Sequence, residues 1–358
     1  MPNIYQPNSN LQDAAPSLLV RADASTQLGT GHVMRCLALA QAWQEIGGRA
    51  FFATAAIASA LATRLVAERI DLIPLDVTPG STNDATQTAT LAQQRKASWV
   101  VVDGYQFDDA YQKAIKQAGL RLLFVDDYGH SDHYYADLVL NQNIYADESH
   151  YLNCEPYTRF LLGTTYALLR TEFWSWRNWQ RQIPTHARHV LVTLGGSDPK
   201  IVTLKVIQAL KELQLPDLKA RIVIGPANIN LATVRHEVEN SDGHIELLTD
   251  VTDMPSLMAW ADAAVSAGGT TCWELAFMGV PMAVVILADN QKDIAAGLAK
   301  AEVASCVGWH DQFAPRQLAQ LLTELLGNPT LRSQMSNRGR SIVDSLGAKR
   351  VADQLRSD

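Results

Sequence analysis

The chain has 358 residues, more than one hydrophobic core comfortably serves, and its 47% hydrophobic and 19% charged residues are those of a globular protein with two domains. A formal net charge of -7 argues against a nucleic-acid partner, because that binding depends on neutralising phosphates. No apolar run approaches the roughly 18 residues of a membrane helix, so no membrane partner is expected either.

Residues 1–17 are polar, lack the positive start and apolar run of a signal peptide, and read as a disordered tail. The four cysteines, Cys36, Cys154, Cys272 and Cys306, are far apart with no C-x-x-C pair. They fit a reduced, cytoplasmic setting better than a disulfide framework or a zinc site. Strand-like runs then alternate with helical patterns. In the first half they fall near 18–22, 50–55, 71–76, 99–104, 122–127 and 137–141. In the second they fall near 189–196, 220–225, 244–248, 263–269, 282–286 and 304–309. Short apolar runs separated by helices indicate parallel sheets covered on both faces. The expected fold class is α/β, with two doubly wound, Rossmann-like domains at 18–180 and 181–358. The boundary segment 168–190 carries Trp174, Trp176 and Trp179, which read as packing between domains rather than as a ligand platform. The last helix is expected to run back across the first domain. In open sheets of this kind ligands lie beyond the carboxyl ends of the strands, so two such domains imply a cleft between those ends.

The first motif is "GTGHVM", between a strand ending in Arg21-Ala22-Asp23 and a helix marked by Val33, Cys36, Leu37 and Ala40. A dinucleotide fingerprint would need glycine where Met34 stands and an acid where Phe51-Phe52-Ala53 lies, so that reading fails twice. What remains is His32 at a helix start, where the helix dipole favours the neutral imidazole that a general base needs. A structural, helix-capping histidine is the alternative. Asp23 either orients the ring or caps the loop. The strongest motif is "SAGGTTCWELAFMGVP", a strand running through Gly268-Gly269-Thr270-Thr271 into a helix, with amides and hydroxyls suited to a diphosphate. Glu274, one turn on, suits ribose hydroxyls. "TLGGSDP" places Gly195 and Gly196 in a second turn, with Ser197 or Asp198 as helix cap and Pro199 at the first helical position. "VIGPAN" ends a strand at Gly225, where a base could lie flat. Asp103, Tyr105, Asp126, Asp127, Tyr128, Asn141, Gln142 and Asn143 cluster at successive strand ends, as a hydroxyl-rich or amide-bearing ligand would require. Asp126 and Asp127 near His130 and His133 form no ligand set of known spacing, so no metal is expected.

The blocks "RADASTQLGTGHVMRCLALA", "LVLNQN", "LLGTTYALLRTEF" and "SAGGTTCWELAFMGVPMAVVILADNQ" together resemble the nucleotide-sugar hydrolase family of pseudaminic acid biosynthesis, the UDP-2,4-diacetamido-2,4,6-trideoxy-β-L-altropyranose hydrolases. The Gly-rich block is also similar to the UDP-sugar site of the glycosyltransferase that makes lipid II. The resemblance runs from about residue 18 to the C-terminus. It implies a glycosyltransferase-B-type fold with an inter-domain cleft, and inverting hydrolysis of a UDP-sugar by water without metal or other cofactor. It assigns catalysis to His32, substrate contacts to Tyr105, Asn290 and Gln291, and the ribose to Glu274. With the local motifs, the expected sugar-side set is Asp23, Gly31, Arg35, Tyr105, Asn141, Asn290 and Gln291. The expected nucleotide-side set is Gly196, Ser197, Gly225, Ser266, Gly268, Gly269, Thr270, Thr271 and Glu274.

Overall fold

The computed structural model describes residues 15–25, 29–195, 198, 200–213, 215, 217–225, 228–241, 243–249 and 251–357. The first half runs β1 (Ser17–Ala22), α1 (Gly31–Glu45), β2 (Arg49–Thr54), α2 (Ser59–Ala67), β3 (Asp71–Pro74), α3 (Thr82–Gln94), β4 (Ala97–Asp103), α4 (Asp109–Gln117), β5 (Leu122–Val125), β6 (Leu138–Asn141) and β7 (Arg159–Leu162). The second runs β8 (His189–Thr193), α5 (Val202–Glu212), β9 (Lys219–Val223), α6 (Leu231–Glu239), β10 (Ile245–Leu248), α7 (Met254–Trp260), β11 (Ala263–Ala267), α8 (Thr271–Phe277), β12 (Met282–Ile286), α9 (Lys292–Lys300), β13 (Ala304–Trp309), α10 (Pro315–Gly327), α11 (Pro329–Ile342) and α12 (Gly347–Ser357).

The strands form two sheets, ordered β3-β2-β1-β4-β5-β6-β7 and β10-β9-β8-β11-β12-β13. Every strand pairing in both is parallel. The strand order reverses once in each sheet, between β1 and β4 and between β8 and β11, which opens a crevice at the carboxyl ends of those strands. Sequence explains the layering. Val100, Val101 and Val102 in β4, and Met282 through Val285 in β12, are fully buried because helices cover both faces. Helices present one apolar stripe; α10 buries Leu318, Leu322, Leu325 and Leu326. The two-sheet α/β architecture expected from the alternating runs is the one observed. One strand differs: β7, a short Arg-Phe-Leu-Leu segment that is not among the expected strands, pairs with β6 at the sheet edge. Ser17, assigned to the tail by sequence, is the first residue of β1.

Two chain segments cross between the halves. In the first, Trp174 packs against the core under β1 and β4, while Trp176 and Trp179 pack against the core under β11 and β12. In the second, α12 returns to the first half. Ala348, Val351, Ala352 and Leu355 join the core made by α1 and β1, and Trp99 Nε1 donates to the Leu355 carbonyl at 2.7 Å. Leu355 is almost fully buried, so Leu355→Ala is expected to destabilise the first half by about 2–5 kcal/mol. Denaturant unfolding followed by tryptophan fluorescence measures this, and a loss under about 1 kcal/mol would contradict the docking of α12.

The second-half turn near Gly195 also departs in detail. Helix α5 starts at Val202, later than a helix with Pro199 in its first position. The Asp198 carboxylate accepts from the amides of Val202 and Thr203, both at 2.9 Å, so Asp198 is the residue that meets the free helix-start amides. Gly196, Ser197 and Pro199 lie outside the described residues. No described helix is long and apolar enough to cross a membrane.

Candidate active site

The crevice of the first sheet is filled from α1. His32 stands in its first turn, and its Nδ1 lies 2.7 Å from Asp103 Oδ1, at the end of β4. Arg35, one turn later, grips the same carboxylate through Nε and Nη2, both at 2.7 Å, and reaches Asp127 Oδ1 through Nη1 at 2.7 Å. Burial alone would raise the Asp103 carboxyl. The charge of Arg35 and the hydrogen bonds from Arg35 and His32 outweigh it and hold that group well below the usual carboxylate range. Asp127 is lowered for the same reason, with burial opposed by Arg35. Asp127 also accepts from the Tyr105 hydroxyl at 2.6 Å and from Asn143 Nδ2 at 2.9 Å. The Tyr105 ring stands edge-on to His32 at 4.9 Å between centroids. Its phenol is pushed far up, first by burial and then by the charge of Asp127. The His32 side chain keeps 10% of its surface exposed, and among the described residues its Nε2 has no hydrogen-bond partner.

In the second half the turn after β11 commits two of its amides internally. Gly268 N donates to Val285 O at 3.2 Å and Gly269 N to Ala267 O at 2.8 Å. The amides of Thr270 and Thr271 have no partner among the described residues. A Cβ at Gly268 would lie 3.0 Å from the Gln291 carbonyl, tighter than ordinary contact, so glycine lets this turn approach the 289–291 turn. Gln291 Oε1 accepts from Leu287 N at 2.9 Å. The two halves meet here. Asn290 Nδ2 donates to the Tyr105 hydroxyl at 2.7 Å, and the nearest atom to a Cβ built on Gly31 is Thr270 Oγ1, at 3.8 Å. The start of α1 therefore faces the Gly268–Thr271 turn. Glu274, one turn into α8, pairs with Arg170 Nη2 at 2.8 Å. Burial raises its carboxyl in spite of that pairing.

The spore coat polysaccharide biosynthesis protein SpsG of Bacillus subtilis is 31% identical over 233 residues, which are 64% of this chain and 67% of that protein. The chain belongs to the SpsG family. Within this SpsG-family chain, residues 189–355 match the glycosyltransferase family 28 C-terminal domain. The UDP-2,4-diacetamido-2,4,6-trideoxy-beta-L-altropyranose hydrolase of Campylobacter jejuni is 25% identical over 285 residues, 79% of this chain and 96% of that protein. In fold, the chain is similar to the crystal structure of MurG from Acinetobacter baumannii, with a TM-score of 0.64 at 17% identity, over 96% of this chain and 100% of that one. The glycosyltransferase-B-type architecture expected from the sequence is thus present in this SpsG-family member.

Several expected site residues are elsewhere. Asp23 does not orient His32; that partner is Asp103. Asp23 is 1% exposed, and its carboxylate accepts from Arg21, Thr54, the amides of Ala55 and Ala56, and Gln106. It is a strut behind the crevice, not a substrate contact. Asn141 is fully buried, donating to the Asp127 carbonyl and to Tyr151 and accepting from Asn143 N, so it shapes the strand-end loops from beneath. Ser266 is fully buried within β11, its hydroxyl on the Ala267 carbonyl, and offers nothing to a nucleotide. Arg35, expected to face substrate, is committed to two carboxylates and positions His32's partner. Gly225 lies two residues past the end of β9, two strands from β11, and its carbonyl accepts from Asn228 N at 3.0 Å. Asp126 pairs with His130 and Tyr134. Among the described residues no three His, Cys, Asp or Glu side chains converge as metal ligands would. Asp103 as histidine partner and Arg170 as partner of Glu274 were not read from the sequence. The available signal for Asp103 was its place at the end of β4, the neighbour of β1, the strand that precedes the histidine's helix.

Proposed function

We propose that this protein hydrolyses a UDP-linked diacetamido-trideoxyhexose at the anomeric carbon with inversion, releasing UDP and a free sugar for nonulosonic (pseudaminic) acid biosynthesis. The observation that carries this reading is the His32–Asp103 pair standing opposite the Thr270–Thr271 amides across the meeting line of the two halves. The name of the Campylobacter jejuni relative supports the substrate class. In this reading Asp103 accepts a hydrogen bond from Nδ1–H and so fixes the tautomer, leaving Nε2 as the base for one water molecule. Tyr105, Asn290 and Gln291 contact the sugar. Gly31 leaves room for it, while Arg35 acts from behind through Asp103. The amides and hydroxyls of Thr270 and Thr271, with Gly268 and Gly269 allowing close approach, receive the diphosphate, and Glu274 receives the ribose. UDP leaves as a stable anion, so no strong acid is needed at the leaving oxygen. Arg35 engages Asp127 and Asp103, and no metal enters the scheme.

The test is turnover of the UDP-linked sugar in ¹⁸O-labelled water with EDTA present, followed by proton NMR and mass spectrometry. The expected result is an undiminished rate, the inverted anomer first, and the label in the sugar. Label in UDP would mean attack at phosphorus and would end the proposal. A second reading, a glycosyltransferase with a UDP-sugar donor, draws on the family 28 domain at residues 189–355. UDP release that requires an added acceptor would select it.

A further inference from the structure

The segment that first crosses between the halves carries an arginine that the reaction scheme leaves unused. Arg170 is 6% exposed. Its Nη2 donates to Glu274 Oε1 at 2.8 Å, and its Nη1 lies 2.7 Å from Glu172 Oε1. Glu172 Oε2 in turn accepts from Arg64 Nη2 at 2.7 Å, and Arg64 Nε donates to Glu68 Oε1 at 2.9 Å. Five charges of alternating sign thus run from α2 of the first half to α8 of the second. The arginine cannot swing. Its guanidinium lies 5.5 Å from the centre of the buried Phe173 ring, which meets Phe277 of α8 edge-on at 6.3 Å. The backbone on either side is pinned by side-chain carbonyls, Gln142 taking Leu168 N at 2.8 Å and Gln41 taking Thr171 N at 3.0 Å. Glu274 is left with one oxygen tied and one, Oε2, with no partner among the described residues.

We propose that Arg170 is the positioning residue of the nucleotide site: by holding one oxygen of Glu274 it presents the other to the ribose hydroxyls of a nucleoside diphosphate. The inference rests on the reading of Glu274 given above. Its physical basis is that a ribose hydroxyl is a donor and needs an ionised, oriented acceptor. A buried carboxylate without its cation either takes up a proton or turns toward solvent, and both remove that acceptor. Because Arg170 is anchored through Glu172 to α2, the acceptor on one half is set by charges on the other.

Calorimetric titration of UDP and of 2′-deoxy-UDP, without any sugar, separates this role from a merely structural one. Wild-type protein is expected to prefer UDP by about tenfold, the value of one hydrogen bond to a charged group. Arg170→Gln should bring the two affinities together by weakening UDP while leaving 2′-deoxy-UDP within about threefold. Arg170→Lys, which keeps the charge but loses the planar fork, should fall between. An undiminished UDP preference in Arg170→Gln, or in Arg170→Lys should the first variant not fold, overturns the inference and leaves the nucleotide site standing. A wild-type protein that binds both ligands alike, or neither, removes the ribose role of Glu274, and this inference with it.

Discussion

Replacing His32 with alanine is expected to lower kcat by about 10²–10⁴, the range that a positioned general base supplies, with UDP affinity nearly unchanged. Among the described residues the hydrogen-bond and ring partners of the imidazole are Asp103, Arg35 and Tyr105, all in the first half. Asp103→Asn is expected to lower kcat by a similar order, because an amide at that position no longer demands a proton on Nδ1 and Nε2 ceases to be the free base. Both are measured as UDP release at saturating substrate, with UDP titration as the control for folding and binding. A His32→Ala enzyme within tenfold of wild type would remove the histidine from the mechanism.

The second large effect is on stability. Arg35→Met is expected to destabilise the first half by about 3–5 kcal/mol at pH 7, since it leaves two buried carboxylates, Asp103 and Asp127, without the cation they share. The sign of the pH dependence should change as well. In the wild-type protein burial raises both carboxyls but Arg35 more than offsets it, and their net shift is downward. Their contribution is therefore complete above the unfolded value of about 3.9 and is lost as pH falls below it. With Arg35 gone, burial and mutual repulsion push the pair above the unfolded value. The folded state then takes up a proton more readily than the unfolded one, so the variant gains stability as pH falls from 7 toward 5. Unfolding midpoints at pH 7 and pH 5 read this directly. A variant that loses stability over that interval would show that other groups neutralise the pair.

The architecture was legible because parallel strands buried on both faces must be continuously apolar, and runs such as Trp99–Val102 and Met282–Ile286 have no other use. Strand β7 was not legible because Arg159–Leu162 is a four-residue edge strand whose pairing with β6 is decided by tertiary position. The candidate site was legible as glycines and one histidine at strand-to-helix turns. The roles of the acidic residues were not. Asp23, Asp103 and Asp127 all stand at carboxyl ends of strands, and nothing local tells a histidine's partner from a partner of Arg21. The distinction lies in which strands are neighbours: β1 lies between β2 and β4, so Asp23 turns toward Thr54 and the following loop, while Asp103 meets α1. Asn141 and Ser266 misled for a related reason, since a polar residue at a strand end serves equally well as a hydrogen-bonded brace beneath a loop.

The two crossings between the halves lie against each other. Gly347, which opens α12, sits so close to the Ala167 carbonyl and the Tyr166 backbone that any side chain there would collide with them. Two connectors in contact form one spine, so any opening of the crevice is expected to be a rotation about that spine rather than a sliding of one lobe past the other. One corollary is practical. Strand β1 and helix α12 share a core, so reporter dyes placed on those two elements are expected to ride on the same lobe and stay silent during any such rotation.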